Sequence, residues 1–393
     1  MIQITRRSAL LGLTAAWTLG RSSLAFAAAP TDRRFVVVIL RGALDGMAAV
    51  VPYGDPNLAA WRLPLIPPAP GQPGGLYDLG GFYGLHPALS GLRDMYAAGD
   101  MLPVHAVAGS YRSRSHFDAQ DFLESGADQR LTSGWLNRVV SALPASQAAA
   151  GEALAVGVSV PLLLRGPAEV GSWAPEGYQA PPPELYARIA DLNHADPLTG
   201  PLIAEGLSQR GFANGVLGGM GEPHGNSLAM LAGAAGRMLA ADNGPRIVAL
   251  EAGGWDTHAA QAKRLTPPLR ALDEGLVALK QGLGAQWRNT AVLVMTEFGR
   301  TARMNGTFGT DHGTATVAFV LGGAVAGGRV AGTWPGLGAT KLFENRDLAP
   351  TTDLHAVARG VLVQHLGLSG AGLDAVFPGV GGVSPMGGLI RAA

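Results

Sequence analysis

The sequence predicts an α/β protein with a mainly parallel central sheet flanked by helices. Apolar runs too continuous for a half-exposed sheet recur at Arg34–Leu40, Met101–Val107, Thr290–Met295 and Ala315–Leu321, and such runs belong to strands covered on both faces. Between them lie stretches with helical spacing, and several runs end in glycine-bearing turns that carry polar residues. Charged residues make up only 15% of the chain and glycine fills 57 of its 393 positions. Typical values are about 25% and about 7%, so the composition fits a well-buried sheet with many tight turns and opposes disorder.

The first element is not part of that sheet. Thr5-Arg6-Arg7-Ser8-Ala9-Leu10-Leu11, a short weakly apolar run and the small residues around Ala25-Phe26-Ala27 form the pattern of a twin-arginine export signal, cleaved after Ala27. The expected partner is therefore the twin-arginine export machinery, and the expected location periplasmic or extracellular. No stretch reaches the ~18 uninterrupted apolar residues of a membrane span, so the mature chain is expected to have no transmembrane segment. Removing residues 1–27 takes away Arg6, Arg7 and Arg21 and no acid, which leaves 26 basic and 29 acidic side chains. That balance gives no electrostatic reason to bind nucleic acid. Residues 28–393 are read as one large domain.

Arg34–Leu40 opens the domain and runs into Arg41-Gly-Ala-Leu-Asp45-Gly46, which puts a carboxylate just past the first strand, where open α/β sheets keep their ligands. Asp45 also reads plainly as an Asp-Gly turn. Residues 62–84 are rich in proline and glycine and are read as a loop packed over one sheet edge through Leu76, Tyr77, Phe82 and Tyr83. A helix is expected over Ala88–Ala98. The strand Met101–Val107 follows, and then Gly109–Asp121 with Arg112, Ser113, Arg114, Ser115 and His116 in one short loop. Arginine suits an oxyanion, serine is a nucleophile when activated, and histidine is a base or ligand. Ser115 as the cap of a helix over His116–Ser125 is the structural alternative.

Further along, Leu131–Leu143 reads as a helix, Ala153–Val160 as a short strand, 184–193 and 198–211 as helices, and Ser227–Ala241 as a closely packed helix. Glycines 215–225 follow no strand and do not make a nucleotide loop. Arg246–Ala252 is a strand opening onto Gly253-Gly-Trp-Asp256-Thr-His258, and a helix over 262–283 precedes the strand Thr290–Met295. That strand ends in Thr296-Glu297-Phe298-Gly299-Arg300-Thr301. Asp311-His312 stands between glycines just before the strand Ala315–Leu321. Asp256 as a helix cap, Glu297 with Arg300 as an ion pair and Asp311-His312 as a turn are the structural readings of these motifs. Residues 322–346 read as hairpin strands and turns, and Thr352–His365 as a terminal helix capped by Thr351 or Thr352. His86, His355 and His365 read as structural.

Acid, histidine and serine thus gather at several strand ends. Carboxylate with imidazole suits a divalent metal ion, with Zn, Mn, Fe, Mg or Ca all open. The absence of cysteine excludes a thiolate zinc site, and no Gly-x-Ser-x-Gly elbow marks an ordinary serine esterase. Leu40-Arg-Gly-Ala-Leu-Asp-Gly46, Ser115-His-Phe117, Gly253–His258, Thr296–Thr301 and Thr310-Asp-His-Gly313 together resemble the domain of unknown function 1501 family of exported bacterial proteins. That family looks like a branch of the alkaline phosphatase and sulfatase superfamily, which implies an alkaline phosphatase-like three-layer sandwich and a metal-dependent site. The resemblance implies Asp45, Asp256, His258, Glu297, Asp311 and His312 as metal residues, and Ser113 or Ser115, with His116, as catalytic. Arg112, Arg114 and Arg300 would bind a small anionic ester. Phe298 stands where the superfamily pattern has a histidine, and Asp-x-His is shorter than its usual Asp-x-x-x-His. The expected activity is hydrolysis of phosphate or sulfate esters; the alternative is a non-catalytic binding or envelope-associated protein on the same fold.

Overall fold

In the computed structural model, residues 32–143, 153–157, 159–175, 216–217 and 227–392 are described. The export signal, the helices expected at 184–193 and 198–211, and most of the glycine-rich stretch before Ser227 lie outside these residues. Eleven strands are formed among the described residues: β1 (Arg34–Leu40), β2 (Val50–Val51), β3 (Tyr77–Asp78), β4 (Gly84–Leu85), β5 (Met101–Ala108), β6 (Ala153–Val156), β7 (Gly171–Trp173), β8 (Ile247–Ala252), β9 (Thr290–Thr296), β10 (Thr316–Leu321) and β11 (Thr352–Asp353). Eight of them make the central sheet in the order β11-β5-β10-β9-β1-β8-β6-β7. Only β10 runs against its neighbours; the other pairings are parallel.

The unbroken apolar run of β1 is explained by burial on both sides. Val36, Val38 and Leu40 enter one core and Phe35, Val37 and Ile39 the other, the alternation that a strand imposes. Helices Ser90–Ala97, Leu228–Ala240 and Gln261–Leu283 contribute to the first core, and helices Trp135–Ala142, Leu354–Leu366 and Gly370–Val376 to the second. The result is the helix–sheet–helix layering expected of the sequence. The proline- and glycine-rich excursion is anchored as predicted, with β2, β4 and β3 forming a small antiparallel sheet and Tyr83 stacked on His105.

Register places the site. Leu40 of β1 lies opposite Ala252 of β8 and Thr296 of β9, so three strands stop level at one sheet edge. Because β10 is reversed, its first residue, Thr316, lies opposite Val107 near the end of β5. The turn before β10 therefore emerges at the same edge as the turns after β1, β5, β8 and β9. Some boundaries differ from the sequence reading. The strand from Ala153 ends at Val156, where Gly157 turns the chain at φ 147°. Asp353 caps the helix Leu354–Leu366 by accepting from the His355 backbone N–H at 2.7 Å, in place of Thr351 or Thr352. Residues 322–346 form turns with isolated bridges instead of hairpin strands, and Ala331 bridges β5 at Val104.

Candidate metal centre

Two glycines let the loops at this edge come together. Gly42 has φ 118°, and a Cβ there would lie 2.8 Å from the Asp256 backbone nitrogen. Only glycine lets the turn after β1 rest on the turn after β8. A Cβ on Gly309 would lie 2.2 Å from the His258 carbonyl carbon, so Gly309 admits the loop before β10 against His258. His116 comes from the first position of the helix His116–Ser125, which starts where the sequence predicted.

Four donor atoms converge. His312 Nε2 is 2.9 Å from His116 Nε2 and 2.9 Å from His258 Nε2. Asp256 Oδ1 is 3.0 Å from His258 Nε2, 3.3 Å from His312 Nε2 and 3.6 Å from His116 Nε2. Ligands bound tetrahedrally at zinc-like distances are about 3.4 Å apart, so this set fits one small cation. His116, Asp256 and His312 by themselves already form a group able to hold a metal ion. The side chains are partly open to solvent, with Asp256 49% and His258 44% exposed, which leaves an approach for a further ligand.

The far side of each ring explains why the Nε2 atoms face one another. His116 Nδ1 is 2.8 Å from Glu297 Oε1, His258 Nδ1 is 3.3 Å from Asp311 Oδ1, and His312 Nδ1 is 3.1 Å from the Arg114 carbonyl oxygen. An oxygen acceptor behind each Nδ1 favours the tautomer with the proton there, and a neutral ring in that tautomer has its lone pair on Nε2. Three such lone pairs held this close repel. One shared proton relieves a single pair, whereas a cation between them satisfies all three.

Electrostatics agree. Burial works against the Glu297 anion, but hydrogen bonds from His116, Gln120, its own backbone and Thr296 outweigh it and bring its pKa down to about 2. Burial likewise opposes ionisation of Asp256, and the hydrogen bond and charge of Arg300, helped by His258 and His312, bring it down to about 2. The Glu297 hydrogen bond pushes the His116 pKa up. Burial, with the charges of His116 and Arg300, pushes His312 down.

Several expected roles change on this geometry. Asp45 is 1% exposed and its carboxylate is bound by Arg62 Nη1 at 2.8 and 2.9 Å and by Gln261 Nε2 at 2.6 Å, so it is a buried structural anion and not one of the converging donors. Glu297 and Asp311 stand behind the histidines as acceptors, while His116, expected as catalytic, presents Nε2 as a donor. Arg300 does not pair with Glu297. It is fully buried and donates to Asp256 and to the carbonyls of Gly42, Ala43, Trp255 and Thr310, with no N–H left facing solvent for an anion. Arg114 is held by Asp347 at 2.8 Å and Glu344 at 2.5 Å. Arg112 is exposed and donates through Nη1 to the Gly109 and Tyr111 carbonyls. Asp256 caps no helix, since the next one is preceded by Ala260. Ser113 and Ser115 flank Arg114, and Ser115 occupies the helix cap position without a capping hydrogen bond from its side chain. Phe298 lies against the His116 and His312 rings at 4.9 and 5.1 Å as an apolar wall. Gln120, Gln261 and Arg62 escaped the sequence reading; the one available signal was Gln120, a helical turn after His116 and so on its face.

Fold and site together define an α/β protein with a loop-built candidate metal centre at the edge where its parallel strands end. The chain belongs to the family described as protein of unknown function DUF1501, which matches residues 102–377. Among solved structures it is similar to a 2-O GAG sulfatase at 12% identity and TM-score 0.31, over 75% of this chain and 65% of that one. The chain thus spans just under two thirds of that protein's length. Comparison with curated proteins finds no match. Among the described residues, no helix is long and apolar enough to cross a membrane.

Proposed function

We propose that this chain is an exported, metal-dependent hydrolase-like protein that holds one divalent ion on His116, His258, His312 and Asp256 and acts on small phosphate or sulfate esters. The observation that carries the reading is the convergence of three imidazole Nε2 atoms on one carboxylate oxygen, each ring oriented from behind by an acceptor. Three nitrogens and one oxygen suit Zn, Mn or Fe better than Mg or Ca, which prefer oxygen-rich sites. Such an ion supplies Lewis-acid polarisation of an ester oxygen and lowers the pKa of a bound hydroxyl or water. Arg300 orients Asp256, Glu297 orients His116, and Phe298 excludes water from one side of the rings. Ser115 supports the nucleophile assignment best, because its hydroxyl is not spent on capping and stands at the positive end of a helix, which favours an oxyanion. Arg112, exposed and donating to protein carbonyls through Nη1, offers its other donors to an anionic ester. The twin-arginine pattern of residues 5–27 supports a periplasmic or extracellular location.

The commitment of Arg114 and Arg300 to protein acceptors favours a second reading, a non-catalytic protein that binds an envelope component through the same ion. Metal analysis of protein purified through its export route, followed by assay on an aryl phosphate and an aryl sulfate, tests both. Stoichiometric metal lost in Asp256→Ala, with turnover lost in Ser115→Ala, is the expected result. Metal with no turnover on either ester selects the binding protein; protein that is metal-free and indifferent to chelators overturns both.

A further inference from the structure

Behind Glu297 lies a chain of hydrogen bonds that leads away from the metal centre. Arg41 Nη1 donates to Gln120 Oε1 at 2.9 Å, and Gln120 Nε2 donates to Glu297 Oε1 at 3.0 Å. The same carboxylate accepts from the Gly42 backbone N–H at 2.9 Å, and its other oxygen lies 2.8 Å from the Thr296 hydroxyl. Arg41 is fixed in turn by Glu124 at 2.8 Å and by Glu251, and Glu124 by the Leu163 backbone N–H at 2.9 Å.

We propose that Arg41 and Gln120 are positioning residues that set the tautomer of His116 through Glu297. A guanidinium has donors and no acceptor, so the Gln120 atom facing Arg41 must be its oxygen. The amide nitrogen is then left to face Glu297 and must donate. Glu297, surrounded by donors and without solvent contact on its side chain, is an acceptor-only anion. The ring nitrogen 2.8 Å from it must therefore be N–H, and the neutral imidazole has only Nε2 left for a cation. At each link one group has a single possible hydrogen-bonding role: Glu297 keeps the proton on Nδ1, and Arg41 acts on a ring it does not touch by fixing Gln120, whose amide holds the Glu297 oxygen against that nitrogen. Without Arg41 the Gln120 amide is free to flip, and without Gln120 the carboxylate loses a donor and its fixed orientation. The geometry also accounts for the spacing of His116 and Gln120 one turn apart on a single helix face.

This inference rests on the metal-binding reading above, and its test has a readout that does not. The full chain, labelled with 15N-histidine and stripped of metal, is measured by NMR at about pH 8, with the His116 signals assigned by their loss in His116→Gln. The wild type should show Nδ1 protonated and Nε2 bare. Gln120→Leu and the near-isosteric Gln120→Glu should shift His116 toward the Nε2–H form. Both should weaken zinc binding, read by competition with a chelator, by roughly 10- to 100-fold, the range for loss of a group that orients a ligand. Phe117→Ala, on the same helix but 86% exposed, should change neither reading. A Gln120→Leu protein with wild-type tautomer and zinc affinity overturns the proposal, as does weakened affinity with an unchanged tautomer. A wild type that binds no zinc yet shows the tautomer shift overturns the metal reading and leaves the relay standing.

Discussion

Arg300→Leu separates two roles that one arginine beside a charged loop could play. Its guanidinium is fully buried and serves five acceptors: the Ala43 carbonyl at 2.8 Å, Gly42 at 2.5 Å, Trp255 at 3.1 Å, Thr310 at 3.2 Å and Asp256 Oδ1 at 2.6 Å. The Asp256 side chain is 49% exposed, so that ion pair is screened and contributes little to stability. The carbonyls dominate, because a buried acceptor left without a donor costs about 1–3 kcal/mol and loops that can relax recover part of it. A loss of about 3–5 kcal/mol is expected from four carbonyls that lose their donor together and relax in part. The assay is urea unfolding with a chelator present, so that metal binding does not enter, and the midpoint should fall by on the order of 1 M or more. Arg300→Lys, a point charge without the planar fork, should recover only part of this. A wild-type midpoint together with a raised KM for an ester would refute the reasoning and return Arg300 to substrate binding.

Acid sensitivity should come first from buried histidines. Burial lowers the pKa of both His105 and His365 to about 4, and in His105 the Ala106 N–H donates to Nδ1 at 2.8 Å while Nε2–H donates to the Val50 carbonyl at 2.9 Å. With folded values below an unfolded value of about 6.5, the unfolded chain takes up more protons in between, so their contribution is complete above about pH 6.5 and falls as pH drops toward 4. Each is worth on the order of 3 kcal/mol across that window, and His105→Gln should flatten the slope of urea midpoint against pH. Asp45→Ala leaves Arg62, 2% exposed, without its anion and should cost about 3–5 kcal/mol while metal content per chain stays unchanged; loss of the metal instead would restore Asp45 as a ligand. Chelation should lower the melting temperature, since an ion at a thousand times its Kd adds about 4 kcal/mol, and His312→Ala should abolish the difference between chelated and metal-loaded samples.

What the sequence determined by itself was whatever depends on neighbours along the chain. The doubly covered strands showed in unbroken apolar runs such as Arg34–Leu40, and the helix at His116 in the serine and spacing before it. The site-bearing edge showed in polar turns beyond those runs. Tertiary structure decided which of several similar residues became donors. Asp45 and Asp256 each follow a buried strand through a glycine turn, and nothing local tells them apart. One meets Arg62 and Gln261 in the interior, while the other is held by Arg300 with its oxygen at the histidines. His116 joins His312 because the reversed strand β10 lies between β5 and β9, a pairing of distant segments. Glu297 stands behind His116 because packing against Gly42, Thr296 and Gln120 turned its oxygens inward. The direction of a side chain is set by what closes around it in three dimensions, and the order of residues carries that information only through the fold.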